Sequence, residues 1–160
     1  MSLLTHTNQL LTAVVISSCL ISGCGSAAFT AADTTVNLAG EGLSLAYHSF
    51  SAAYAAAAEK ALEESRTPLE FESRMKDYDE VGRILALAQM MYERAKIALD
   101  IWDSTDDPAQ FLSSAPCLLE ALVLLQDGLN LVGIHSVDSA FETVSDLARQ
   151  VIGGRSCGQL

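Results

Sequence analysis

Thr67-Pro68-Leu69-Glu70 decides how this chain folds. The Thr67 hydroxyl can cap a helix that begins at Pro68. Proline suits the first helical position, where its missing N–H removes no intrahelical bond. Glu70, three residues after the cap, completes a capping box. The residues before Thr67 are themselves helix-forming, so one helix must end and the next begin within a residue or two. That forces a tight helical hairpin.

Working back from the turn, the first helix runs from Asp33 or Thr34 to about Arg66. Its seam is Val36, Gly40, Leu43, Tyr47, Phe50, Tyr54, Ala57 and Ala61. The spacing alternates four and three, as in a helix packed along a near-antiparallel neighbour. Gly40 and Gly42 weaken its early turns. Working forward, the second helix runs from Pro68 to about Asp103, with Val81, Ile84, Ala88, Met91, Ala95, Ala98 and Trp102 on its seam. Arg83, Glu93, Lys96 and Asp100 lie off this seam and read as a solvated face. Asp107-Pro108 repeats the cap-and-proline logic and predicts a short helix over about 108–114. Pro116 then restarts or kinks the chain. A helix over about 116–132 is apolar almost all round and must be covered on several sides. Gly133 ends it. Ser136 caps a last helix over about 136–152, which Gly153-Gly154 stops.

The expected fold is all-α. It is an antiparallel bundle of two long helices (about 34–66 and 68–103) and a shorter hairpin (about 116–132 and 136–152), with the short helix at about 108–114. At 1.5 Å per residue the long pair measures about 50 Å and the short pair about 25 Å. The short pair can therefore cover only the half of the hairpin near the chain's N-terminus, and the other half should project. Residues 52–66 are rich in alanine, which lets two helices approach closely with little apolar surface to hide, and residues 69–80 are rich in charge. The alternative is a compact bundle in which the long helices bend or break, with Gly82 as the candidate point.

The chain has 160 residues and a net charge of −11, and no charged residue precedes Asp33. An acidic surface of this kind repels phosphate backbones and anionic headgroups, which argues against a nucleic-acid partner. Abundant alanine and leucine with only three prolines is helical composition.

The first two dozen residues carry an address. Leu10 to Ile21 is a mostly apolar run of twelve residues, the length of a signal-peptide core and too short to span a bilayer. It leads into Ile21-Ser22-Gly23-Cys24, which resembles the lipobox of bacterial lipoproteins. The resemblance implies cleavage before Cys24 and lipidation of its thiol. It divides the chain into a signal peptide (1–23), a lipidated tether (24–32) and a helical domain (33–160). Residues 1–23 depart from the class in lacking Lys and Arg. Gly25 stands where an Asp commonly retains such proteins at the inner membrane, so the resemblance implies the periplasmic side of the outer membrane. With no basic patch to help, the anchor needs more than one acyl chain. The rival reading is an uncleaved span, since residues 10–32 are free of charge. Size and helical build also resemble small phage- or prophage-encoded accessory lipoproteins.

Lipoprotein processing would discard Cys19 and modify Cys24. Cys117 and Cys157 would remain, in a compartment that oxidises thiols. Cys117 lies in the first turn of the 116–132 helix, and the last helix returns the chain to that level, so a Cys117–Cys157 disulfide is expected. Two separate thiols are the alternative.

No catalytic set, cofactor motif or metal site emerges. The histidines lack the Glu-x-x-His partners of a metal-binding bundle, and covalent haem would need Cys-x-x-Cys-His. Tyr47, Phe50, Tyr92 and Trp102 are candidates to line a ligand pocket, although such residues are more often core. The reading is a non-enzymatic lipoprotein held to the membrane by its lipid and acting on an unidentified protein partner. A bundle that binds a small hydrophobic ligand is the alternative.

Overall fold

A computed structural model describes residues 25–153 and 155–158. The leader, the lipobox and Cys24 lie outside the described residues. Four helices follow in order: α1 (Gly25–Glu64), α2 (Pro68–Thr105), α3 (Ala109–Leu131) and α4 (Asp138–Ile152). They run up, down, up and down. Each packs on the next, and α4 closes the bundle against α1.

The hairpin turn is built from the quoted stretch. Thr67 has extended backbone and its hydroxyl accepts from the Glu70 N–H at 3.3 Å. The Glu70 carboxylate reaches back one residue further than a standard capping box, accepting from the Arg66 N–H at 2.6 Å. Glu64 and Arg74 form an ion pair across the turn. At the other end of α2, Asp106 takes a left-handed conformation (φ 61°) and its N–H donates to the Trp102 carbonyl. The Asp107 carboxylate then accepts from the Ala109 N–H at 3.0 Å and starts α3.

Two expectations from sequence are corrected. Residues 25–32 are not a tether but the first turns of α1. Ala28, Ala32 and Val36 are buried there against Leu99, Trp102, Phe111 and Ile152, so the segment has a core to join. The short helix expected over 108–114 and the helix expected from Pro116 are one continuous helix, with Pro116 inside it. Phe111, Ala115, Leu118, Leu122, Leu125 and Leu129 keep helical spacing across the proline, and all are buried. That continuous apolar face outweighs the one backbone hydrogen bond the proline removes. A smaller difference concerns α4, which begins at Asp138. Ser136 does not cap it, and instead its hydroxyl meets that of Ser49 at 3.1 Å.

The main core lies midway along the base, around Leu43, Phe50, Val81, Leu122, Leu125, Phe141 and Val144. Glycines set its close approaches. A Cβ at Gly42 would stand 2.9 Å from the Phe141 ring, and one at Gly128 would stand 3.3 Å from Val81. Among the described residues α3 alone is long and apolar enough to cross a membrane. Here it packs on α2 and α4, with Leu124 and Leu131 exposed. Cys117 and Cys157 are joined by a disulfide with Cα atoms 4.5 Å apart across a separation of 40 residues. A loop of that size contributes about 4 kcal/mol in the chain-entropy model. The Cys157 N–H also donates to the Glu120 carboxylate at 2.7 Å. The tail is thereby tied to the middle of α3, since Cys117 lies about two turns after the helix starts at Ala109 and not in its first turn.

The base ends where α3 and α4 meet. Leu131 lies alongside Lys76 and Glu80 of α2, and Ser136 lies beside Ser49 of α1. Beyond those levels α1 and α2 continue as a bare two-helix projection. Most of its residues are exposed, and Ala61 and Met75 are buried between the two helices. Thr67→Ala should lower stability by about 1 kcal/mol through loss of the cap. The chemical-denaturation midpoint reads this directly, and an unchanged midpoint would mean that the cap does not hold the turn.

Candidate interaction groove and projecting hairpin

The alternation of seams on α1 leaves a groove between it and α2. The side chains that face the core are Ala39, Leu43, Ala46 and Phe50, one step round from the expected Gly40–Tyr47–Tyr54 line. The reason is that α1 packs on both α2 and α4, so its buried stripe lies between them. Tyr47 is consequently 58% exposed. The groove has a volume of about 1060 Å³ and runs from Asn37 to Ser51 along α1 and from Gly82 to Tyr92 along α2.

Leu43, Leu85 and Phe50 give the groove an apolar floor, and Tyr47 and Tyr92 add aromatic surface. Gly40 makes room for Tyr92, because a Cβ there would lie 2.6 Å from the phenolic oxygen. Gly82 faces the Phe50 ring, which a Cβ would meet at 3.6 Å. Asn37, Ser44, Ser51 and Gln89 form a polar rim, and Glu41 is the one charged lining residue. Sequence reasoning placed Gly40 on the seam as a helix weakener and took Gly82 as a candidate bend, assigned neither to a groove, and did not find Glu41. The signal available was a glycine on the seam at the height where the facing helix carries a tyrosine.

Three of the four aromatic residues proposed for a pocket, Tyr47, Phe50 and Tyr92, line this groove. Trp102 does not. It is buried at the N-terminal end of the base, with Phe29 edge-on at 5.5 Å and Phe111 at 5.7 Å between ring centroids. The spacing from Tyr92 to Trp102 is ten residues, nearly three helical turns, which separates them by about 15 Å along α2. The two described histidines have ordinary roles. His48 packs edge-on to Tyr47, and His135 bonds the Asn130 side chain at 2.7 Å. Among the described residues no group of three or more His, Cys, Asp or Glu is placed to hold a metal ion.

An aromatic cluster marks where the projection leaves the base. Phe50, Tyr54 and Tyr78 stand 5.8–6.4 Å apart by ring centroid. The Tyr54 hydroxyl donates to Asp79 at 3.2 Å. Further out, Leu62 and Leu69 flank the tip at 68% and 75% exposure. Comparison with protein-family models, curated proteins and solved structures finds no match to this chain.

The Asp79 charge, with slight desolvation and the hydrogen bond, raises the Tyr54 pKa above the ordinary tyrosine value. The folded chain therefore favours the neutral phenol. This contribution is complete below the unfolded tyrosine pKa and is lost as pH rises through the folded one. Ultraviolet difference titration should show Tyr54 ionising above the ordinary tyrosine value, and Asp79→Asn should bring it down. A titration curve that Asp79→Asn leaves unchanged would contradict the contact.

Proposed function

We propose that the chain is a membrane-anchored helical lipoprotein of the bacterial envelope that acts by binding rather than catalysis. Cys24 carries the lipid, on the periplasmic side of the outer membrane, and the hairpin presents a surface to a protein partner. The observation that carries this reading is the geometry of the two ends. Gly25, next to Cys24, starts α1 at the four-helix end of the molecule, and the 40 residues of α1 put the tip about 60 Å away. A lipid at Cys24 would hold the base at the bilayer and point the projection away from it. The Cys117–Cys157 bond supports the same compartment, since structural disulfides persist in oxidising surroundings. The accessory role, with its phage-like style, rests on size and build.

Binding of a small hydrophobic ligand is the second reading, favoured by the aromatic groove. Ligand pockets enclose most of their guest, whereas this groove is open along its length, with Glu41, Ser44, Tyr47, Ser51 and Gln89 all exposed. It suits a ridge better than a small molecule.

Intact mass of the membrane fraction tests the anchor. The wild type should lack residues 1–23 and carry acyl chains, and Cys24→Ala should stay at precursor mass without them. A membrane-bound wild type that retains Met1 would overturn the lipoprotein reading in favour of an uncleaved span.

A further inference from the structure

The outward face of α2 carries a second seam. Arg83, Leu87, Met90, Arg94, Ile97 and Ile101 recur at alternating spacings of four and three, which aligns them along the helix. Leu85 and Leu99, on the opposite side of α2, are buried in the base. Leu87, Met90 and Ile97 are 38%, 46% and 59% exposed. Large apolar side chains in heptad register thus face solvent as a ridge, on a helix whose other face already fills the core.

The groove lies beside this ridge, and the two match. The ridge from Arg83 to Ile97 and the groove from Asn37 to Ser51 each span fourteen residue steps, or about 21 Å. They also share a height. Gly40 faces Tyr92 and Gly82 faces Phe50, so residues 37–51 of α1 run alongside roughly 81–95 of α2. Their charges are opposite: the ridge bears Arg94 and Arg83, the latter paired with Glu80 of its own helix at 3.8 Å, and Glu41 is the charge in the groove. An apolar ridge with positive charge next to an apolar groove with negative charge is self-complementary, as a two-fold interface requires.

We propose that two copies of this chain form a two-fold dimer in which the α2 ridge of each fills the α1/α2 groove of the other, with the α2 helices parallel. The parallel choice rests on the membrane-anchored reading, because it puts both N-termini at one end. It sets Arg94 about one helical turn from the height of Glu41 in the partner, within reach of an arginine side chain. An antiparallel pairing would bring Arg83 to that carboxylate instead.

The test is the mass of the full-length chain in a mild non-ionic detergent, by light scattering corrected for bound detergent. Lipidation does not enter this readout, so its failure and that of the anchor are separable. The wild type should have twice the chain mass. Arg94→Glu and Glu41→Arg should each halve it, and the double variant should restore it. Ile97→Lys should halve it by a route independent of the ion pair. Wild-type thermal midpoints by circular dichroism establish that the variants are folded. A monomeric wild type, or a dimer that survives both charge reversals, overturns the proposal. Rescue of Glu41→Arg by Arg83→Glu in place of Arg94→Glu overturns the parallel arrangement.

Discussion

Three residues, Ser65 to Thr67, separate helices of 40 and 38 residues. The remaining helices have 23 and 15 residues, and this mismatch in length governs the rest of the structure. Once the cap at Thr67 commits the chain to turning there, α1 and α2 lie side by side for about 55 Å. The polypeptide after Thr105 restarts at the N-terminal end of α1 and is too short to climb the whole hairpin. A complete four-helix core forms at that end alone. Farther along, the two helices must hold each other with little help. They do so with small side chains in close contact, Met75 and Ala61 buried between them, and the Glu64–Arg74 pair at the tip. A surface ion pair of that kind is worth little by itself. The projection is consequently the less stable part of the molecule.

Small residues do comparable work in the base. Gly42 admits the Phe141 ring and Gly128 admits Val81, so α4 and α2 approach their neighbours closely at those points. At both sites the absence of a side chain is what the packing uses. The cost in helix propensity, about 0.5–1 kcal/mol per glycine, is offset by the large buried side chains these gaps accept. The same device at Gly40 seats Tyr92 across the groove, linking the packing of the bundle to the shape of its exposed face.

The fold was legible where local chemistry and periodicity agreed. Thr67-Pro68 marks the turn, and the lengths on either side of it allow a projection, with a compact bundle of bent helices as the alternative that the structure removes. Cys117 and Cys157 could be paired because the last helix is about as long as the part of α3 that follows Cys117 and returns the chain to that level. Local signals misled where tertiary packing overruled them. Pro116 reads as a break, yet the apolar stripe from Phe111 to Leu129 carries the helix through it. Residues 25–32 read as a tether because glycine, serine and alanine lack a strong pattern, and the partners that bury Ala28 and Ala32 come from the far ends of α2 and α4. The groove was half visible. Its aromatic residues were found by type, but Trp102 was grouped with them because spacing along one helix does not report height against another. The exposed ridge on α2 is hidden in the same way, since Arg83 reads as part of a solvated face and the burial of the opposite side is not visible along one helix.

These features give a molecule with a firm end and a loose one, and the firm end is the one at which α1 begins. Backbone hydrogen exchange tests that division most directly. Amides in 36–50, 81–99 and 118–129 should exchange only through global unfolding, while those in 52–64 and 68–79 should exchange through local opening and much faster. Uniform protection along the whole of α1 and α2 would contradict the account, because it would mean that the hairpin is supported along its full length rather than projecting from a four-helix base.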